Sequence, residues 1–340
     1  MMTRRTILGA AGALTAATAV GAEALAGGPV LDAASLMPAR LRQPGPARAA
    51  GAQPVLIHHS SARAVFGDGE LLTLYDQASW SEGAVWWPRE RTLVWSDIVG
   101  RRVLGWREDG AVDVLLDATP FINGNAVAPD GGLLHCEHGR RAISQSNGRG
   151  TPHPIVTHAD GIRLNAPNDI VVADDASIWF SEPTFGLENP KQGVPAQADG
   201  HRTSICRIGT DGVAHRVIDM VQPNGLAFSP DGRTFYASQT PEHSEGEVAI
   251  FAFHREGARL TDRRRFVTMP EGIPDGFTVD RRGWIWSSSA RGVEVFDAAA
   301  RHLATVPTPH LCSNCAFDSD ERRLFVTGKD TLWMLPLGMA

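Results

Sequence analysis

Apolar residues in this chain alternate with polar ones in short runs, and the runs come in pairs. Each pair opens on a polar or acidic residue, continues as an apolar strand, reverses at a polar or Asp-Gly turn and returns as a second apolar strand. The copies read EGAVWWPRERTLVWSD from Glu82, NGNAVAPDGGLLHCE from Asn123, NDIVVADDASIWFSE from Asn168, NGLAFSPDGRTFYASQ from Asn224, DGFTVDRRGWIWSSS from Asp275 and NCAFDSDERRLFVTG from Asn314. Successive starts lie 41, 45, 56, 51 and 39 residues apart, a period that belongs to propeller blades rather than helical repeats. The pattern therefore predicts an all-β chain folded as a six-bladed β-propeller.

In a propeller the innermost strands line one central channel, so equivalent positions of different blades converge. Glu82, Asn123, Asn168, Asn224, Asp275 and Asn314 would then ring one mouth of that channel. Carboxylates with amide oxygens suit a hard divalent cation, calcium first, with zinc, magnesium or manganese as alternatives. Asn or Asp before Gly is also ordinary turn chemistry. Several copies in register, one of them led by Glu82, favour a site over six unrelated turns.

Composition changes the picture in two respects. A net charge of −6 and 43% hydrophobic residues describe a globular chain with no electrostatic footprint for nucleic acid. Trp is frequent and falls on the strand pattern, as in EGAVWW, TLVW, SIWF and RGWIW, which reads as packing between blades. Residues 1–26 carry Arg4 and Arg5, an Ala-rich middle and a small-residue end. They resemble a twin-arginine leader, implying the twin-arginine export machinery as a partner, a periplasmic location and no stable membrane span in the mature chain. Cys136 and Cys206 sit in strand-like runs and read as small buried hydrophobes. Cys312 and Cys315 form a lone C-x-x-C, too little for a zinc site, with a disulfide left open.

Residues 27–54 read as a linker, and the propeller occupies 55–340. The run ARAVFGDGELLTLYDQAS is expected to form a hairpin-like pair about Gly67-Asp68-Gly69 and to complete the last blade from the other end of the chain, which removes open edges. Blade three carries the longest insertion, TFGLENPKQGVPAQADGHRTS, expected to shape the pocket. Asn123, Asn165, Glu182 and His243 are candidate substrate contacts near the mouth. Glu137 and His138 are rim candidates better read as structural.

SEGAVWW, LNAPNDIVV, QPNGLAFSPDG and IPDGFTVD, with CEHGRR and FSEPTFGL, together resemble the gluconolactonase and regucalcin family of six-bladed propellers, over about Ser81 to Pro336. The resemblance implies metal ligation by Glu82, Asn224 and Asp275 with Asn168 close by, and hydrolysis of a sugar lactone such as glucono-1,5-lactone. Ala166 stands where regucalcin-type members carry an Arg, and Glu182 where the family usually has Asp. Asp275 and Asn168 are the candidate catalytic residues, with Glu82 or Asp169 as other candidates for general base. No G-x-S-x-G motif points to a serine nucleophile. Hydrolysis of non-sugar lactones and a non-catalytic propeller around a structural ion are the alternatives.

Overall fold

The computed structural model describes residues 39–40, 47–200, 202–241 and 246–338. The leader lies outside the described residues. Six antiparallel sheets of four or five strands follow one another along the chain. Their innermost strands, Ser81–Trp87, Ile122–Val127, Ile170–Val172, Pro223–Phe228, Phe277–Val279 and Asn314–Phe317, touch in sequence and close into a ring, the last against the first. This is a six-bladed β-propeller. The side chains just beyond the lead residues, among them Val85, Val127, Phe228, Val279 and Phe317, line an axial cavity of ≈ 510 Å³.

Each blade turns where the repeat predicts. Asp130, Asp175, Asp231, Asp280 and Asp318 all accept a backbone N–H from two to four residues ahead, so the carboxylate closes the hairpin that its own backbone makes. Blade one differs, turning through a short 3₁₀ helix at Pro88–Glu90. Ring closure comes from Leu72–Tyr75, which pairs with Thr331–Pro336 as the fourth strand of blade six. Ahead of it, Ala39–Arg40, Arg48–Ala49 and Leu56–Ile57 add short outer strands to blades one, six and five, covering edges that would otherwise stay open.

The hairpin expected about Gly67 is not formed. Arg63–Phe66 is a single helical turn that follows a 3₁₀ turn at Ser60–Ala62. Ala62, Val65 and Phe66 fall at helical spacing and all bury against blades five and six, and that burial outweighs the weak alternation of the segment. Only Leu72–Tyr75 keeps the strand.

The tryptophans fill the wedges between blades, as their positions suggest. Trp86 of blade one stacks on Phe325 of blade six at 5.9 Å between ring centroids, Trp286 meets Phe317 edge-on, and Trp179 packs on Phe228 and Phe235. Between blades two and three the filling is mainly aliphatic about Phe180, and Cys136 and Cys206 join it as buried small hydrophobes. All four cysteines are free and buried. The Cys312 thiol donates to Gly292 O at 3.0 Å and the Cys315 thiol to Trp286 O at 3.2 Å, and burial raises both thiol pKa values.

Near the axis the inner backbones approach too closely for side chains. A Cβ on Gly124 would lie 2.4 Å from Asn168 O, and one on Gly225 would lie 2.5 Å from Asp275 O. Substitution Gly225→Ala must therefore push blades four and five apart. We expect it to destabilise the fold by about 1–3 kcal/mol, read as a lower urea midpoint. An unchanged midpoint would show slack at the axis.

Candidate active site

The lead residues are aimed by a backbone device. In blade one Glu82 faces Ser96 and Val85 faces Val94, so one extra residue is accommodated at Gly83 and Ala84. The same count recurs between Ile122 and Asn125 and between Pro223 and Leu226. These are β-bulges, which bend a strand and re-aim its side chains. In blades three and five the lead residue instead precedes the strand. Asn168 is held by its N–H on Ser181 O, and Asp275 by its N–H on Ser288 Oγ. The lead residue and the residue after it, glycine in four of the six copies, therefore belong to the innermost strands or their entries, not to hairpin turns.

Neighbouring lead residues are tied through the backbone. Gly124 N–H donates to Asn168 O and Gly225 N–H to Asp275 O. The Asp169 carboxylate accepts from Leu226 N–H at 2.7 Å, joining blades three and four. Ser313 Oγ donates to Ser81 O and joins blade six to blade one. Glu82, Asn123, Asn168, Asn224 and Asn314 are buried, while Asp275 keeps partial exposure.

Charge at this mouth is one-sided. Burial and then the Asp275 carboxylate push the Glu82 pKa well above the usual carboxylate range, with Asp169 adding to the rise. Trp80 Nε1 and Gly83 N–H, which donate to the Glu82 carboxylate, oppose it. No Lys or Arg figures among the groups acting on Glu82. Burial likewise raises Asp169 to about 7. Asn224 donates its Nδ2 to Thr240 Oγ1, which assigns Oδ1 as the atom available to a ligand. The Asn314 oxygen instead accepts from Cys315 N–H and is spent locally. Two buried or half-buried carboxylates, Glu82 and Asp275, with amide oxygens beside them form a donor set that fits a hard divalent cation. Among the described residues no cluster of three or more His, Cys, Asp or Glu side chains offers a different kind of site.

The insertion of blade three docks over this region. It contains the short helix Phe185–Glu188, and Gly186 packs against the His138 ring so closely that a Cβ would reach His138 Cγ at 2.5 Å. His138 Nδ1 donates to Gln192 O at 2.8 Å, so Nε2 accepts from Asn123 Nδ2 at 3.4 Å. On the other side Thr184 N–H donates to Gln222 Oε1, and Gln222 Nε2 donates to Thr184 Oγ1. Glu137 does not pair with His138; it bonds Ser144 and Arg140.

Two expected substrate contacts are corrected. Asn165 and Glu182 have no exposed surface. Glu182 Oε1 accepts from Asn165 N–H, and Arg141 Nε donates to Leu164 O and Asn165 O, so these residues clamp the strap that leads to Asn168. Desolvation raises Glu182 to about 8. The insertion and blade two cover them, which local sequence did not reveal. His243 lies outside the described residues. Trp80 and Gln222 were missed, because neither falls on the repeat's lead position; adjacency to Glu82 was the one available signal for Trp80.

His138 supplies a pH test. Burial lowers it to about 4, so the stability it contributes is present above its unfolded pKa of about 6.5 and is lost as pH falls toward 4. The stability gap between wild type and His138→Gln should narrow by about 1.4 kcal/mol per pH unit below 6.5. A gap constant from pH 7 to 5 in urea titrations would show that this imidazole is not held neutral.

Comparison with known proteins agrees with the fold and the placement of the repeats. The SMP-30/Gluconolactonase/LRE-like region matches residues 80–329. A solved gluconolactonase from Xanthomonas campestris is 56% identical, with a TM-score of 0.84 over 88% of this chain and 99% of that one. The pentonolactonase of Haloferax volcanii is 33% identical over 72% of this chain and 80% of its own, and the gluconolactonase of Zymomonas mobilis is 25% identical over 73% and 76%. With its repeats in the matched region and its blades superposing on a solved relative, the chain belongs to the SMP-30/gluconolactonase/LRE-like family.

Proposed function

We propose that this chain hydrolyses a sugar lactone to the aldonic acid, at a site where Glu82, Asn168, Asn224 and Asp275 hold a divalent cation, calcium first. The observation that carries the reading is the pair of mutually repelling carboxylates, Glu82 and Asp275, set among amide side chains with no basic residue acting on Glu82. Family membership and relatives named for gluconolactone and pentonolactone hydrolysis support the substrate class.

When bound, such a cation supplies Lewis-acid polarisation of the lactone carbonyl and neutralises charge that develops on its oxygen. The chain's own residues do the rest. Asp275 is the more exposed carboxylate and takes the proton from the attacking water. Water oxygen bonds to the carbonyl carbon, the ring C–O bond breaks, and the proton passes to the departing alkoxide oxygen. Asn123, whose Nδ2 donates to neutral His138, keeps its Oδ1 to accept from a sugar hydroxyl. The insertion over His138 narrows access for bulk water.

Acid release from a panel of aldonolactones and aryl lactones, with and without chelator, tests the reading. Aldonolactones should be preferred, and chelation should abolish turnover reversibly. Asp275→Asn and Glu82→Gln should each lower kcat/KM by at least about 100-fold with folding retained. Turnover that is indifferent to chelator would overturn the cation's role, and preference for aryl lactones would overturn the sugar assignment.

The leader suggests that this hydrolysis takes place in the periplasm after export of the folded chain. Lysine at both Arg4 and Arg5 should trap the protein in the cytoplasm on cell fractionation. Normal export of that variant would remove the twin-arginine reading.

A further inference from the structure

A buried chain of polar groups runs through blade two toward the axis, and the mechanism above makes no use of it. His135 is on the second strand of the blade, Leu133–Glu137, and has no exposed surface. Its Nδ1 lies 2.7 Å from Asn125 Oδ1 and its Nε2 lies 2.8 Å from Ser146 Oγ. Asn125 in turn places Nδ2 at 2.9 Å from Gly83 O, 2.8 Å from Ser96 Oγ and 3.2 Å from Asn123 O. Ser96 Oγ donates to Asn123 O at 2.7 Å.

The proton positions follow from the acceptors at the axial end. Gly83 O and Asn123 O are backbone carbonyls and only accept. The Asn125 group facing them must therefore be the amide nitrogen, and its oxygen must face His135. That oxygen needs a donor, so His135 carries its proton on Nδ1. Its Nε2 then accepts from the Ser146 hydroxyl, whose oxygen accepts Gly148 N–H at 3.1 Å. The two Nδ2 hydrogens serve Gly83 O and Ser96 Oγ, the two nearest acceptors, and Asn123 O takes the Ser96 hydroxyl with Asn125 Nδ2 at 3.2 Å beside it.

The far end of this chain grips two bulges at once. Gly83 follows Glu82, has φ +58° and approaches blade two so closely that a Cβ would lie 2.1 Å from Asn123 O. Its N–H donates to the Glu82 carboxylate while its carbonyl accepts from Asn125. Asn123 is itself a lead residue. Without a fixed donor between them, the carbonyls of Gly83 and Asn123 would repel each other across this contact.

We infer that His135 is a positioning residue: its Nδ1–H locks the Asn125 amide, which pins the carbonyls of Gly83 and Asn123 and so holds Glu82 at the aim that cation binding needs. The inference rests on the cation reading proposed above. Groups bonded directly to a metal ligand typically affect metal affinity by about 10–100-fold; His135 acts from farther back, through Asn125 and Gly83, so the low end of that range is expected.

The test is calorimetric titration of the metal-free full-length protein with calcium chloride. His135→Phe keeps the ring volume and removes the donor; Asn125→Asp sets a carboxylate oxygen against the two carbonyls. Each should weaken calcium binding by about 10-fold, with kcat recovered once calcium is raised to saturation. A merely structural role would lower thermal stability and leave the calcium Kd unchanged, and that result overturns the inference while the cation reading stands. Wild-type protein that binds neither calcium nor another divalent ion overturns both. Should His135→Phe not fold, ¹⁵N spectra of the wild-type imidazole decide: a neutral Nδ1–H tautomer from pH 5 to 8 is expected, and Nε2–H or imidazolium sinks the inference, because Asn125 would then have to turn its oxygen toward the carbonyls.

Discussion

Backbone contact at the axis is the constraint on which the rest of this structure depends. Six sheets close into a ring only if their innermost strands come within hydrogen-bond reach, and they do so where Gly124 meets Asn168 and Gly225 meets Asp275. A side chain at either glycine would hold the blades apart. The same closeness requires an extra residue in three inner strands, and the resulting bulges turn the preceding side chains. Closure of the fold and aim of the site are thus one geometric solution.

Electrostatics divides the molecule in a similar way. Away from the mouth, charges find opposite partners: Arg255 of blade four reaches Asp174 and Asp175 of blade three, and Arg323 of blade six holds Asp318 of its own blade and Glu108 of blade one. At the mouth the chief charges acting on Glu82, those of Asp275 and Asp169, share one sign, and Glu82 and Asp169 are buried. Burying like charges together is unfavourable unless something neutralises them. The fold tolerates that local penalty because its stability comes from elsewhere, chiefly the aromatic and aliphatic wedges between blades.

The polar groups just behind the mouth are ordered rather than solvated. Neutral His138 joins the insertion to Asn123, neutral His135 joins the outer strands of blade two to Asn125, and Glu182 with Arg141 clamps the strap ahead of Asn168. Each links an inner element to one farther out. Rigidity at the axis therefore draws on hydrogen bonds across the width of a blade, which a repeat of inner-strand residues alone would not supply.

Much of this was legible in the chain. The period and the recurring lead residue determined the number of blades, and the alternation ahead of Glu82 the completion of the last blade from the other end of the chain, because a propeller repeats one local unit and each unit writes its own pattern of burial. The positions of tryptophan and of Cys136 and Cys206 followed from the same alternation. What only the tertiary structure decided are contacts between residues far apart along the chain. Asn165 and Glu182 read as surface ligands until the insertion and blade two closed over them, and Arg63–Phe66 alternates like a strand until its burial against blades five and six selects a helix. Gly83, Gly124 and Gly225 read as turn formers, and their reason, a neighbouring backbone carbonyl where a Cβ would have to stand, exists only once the ring is shut.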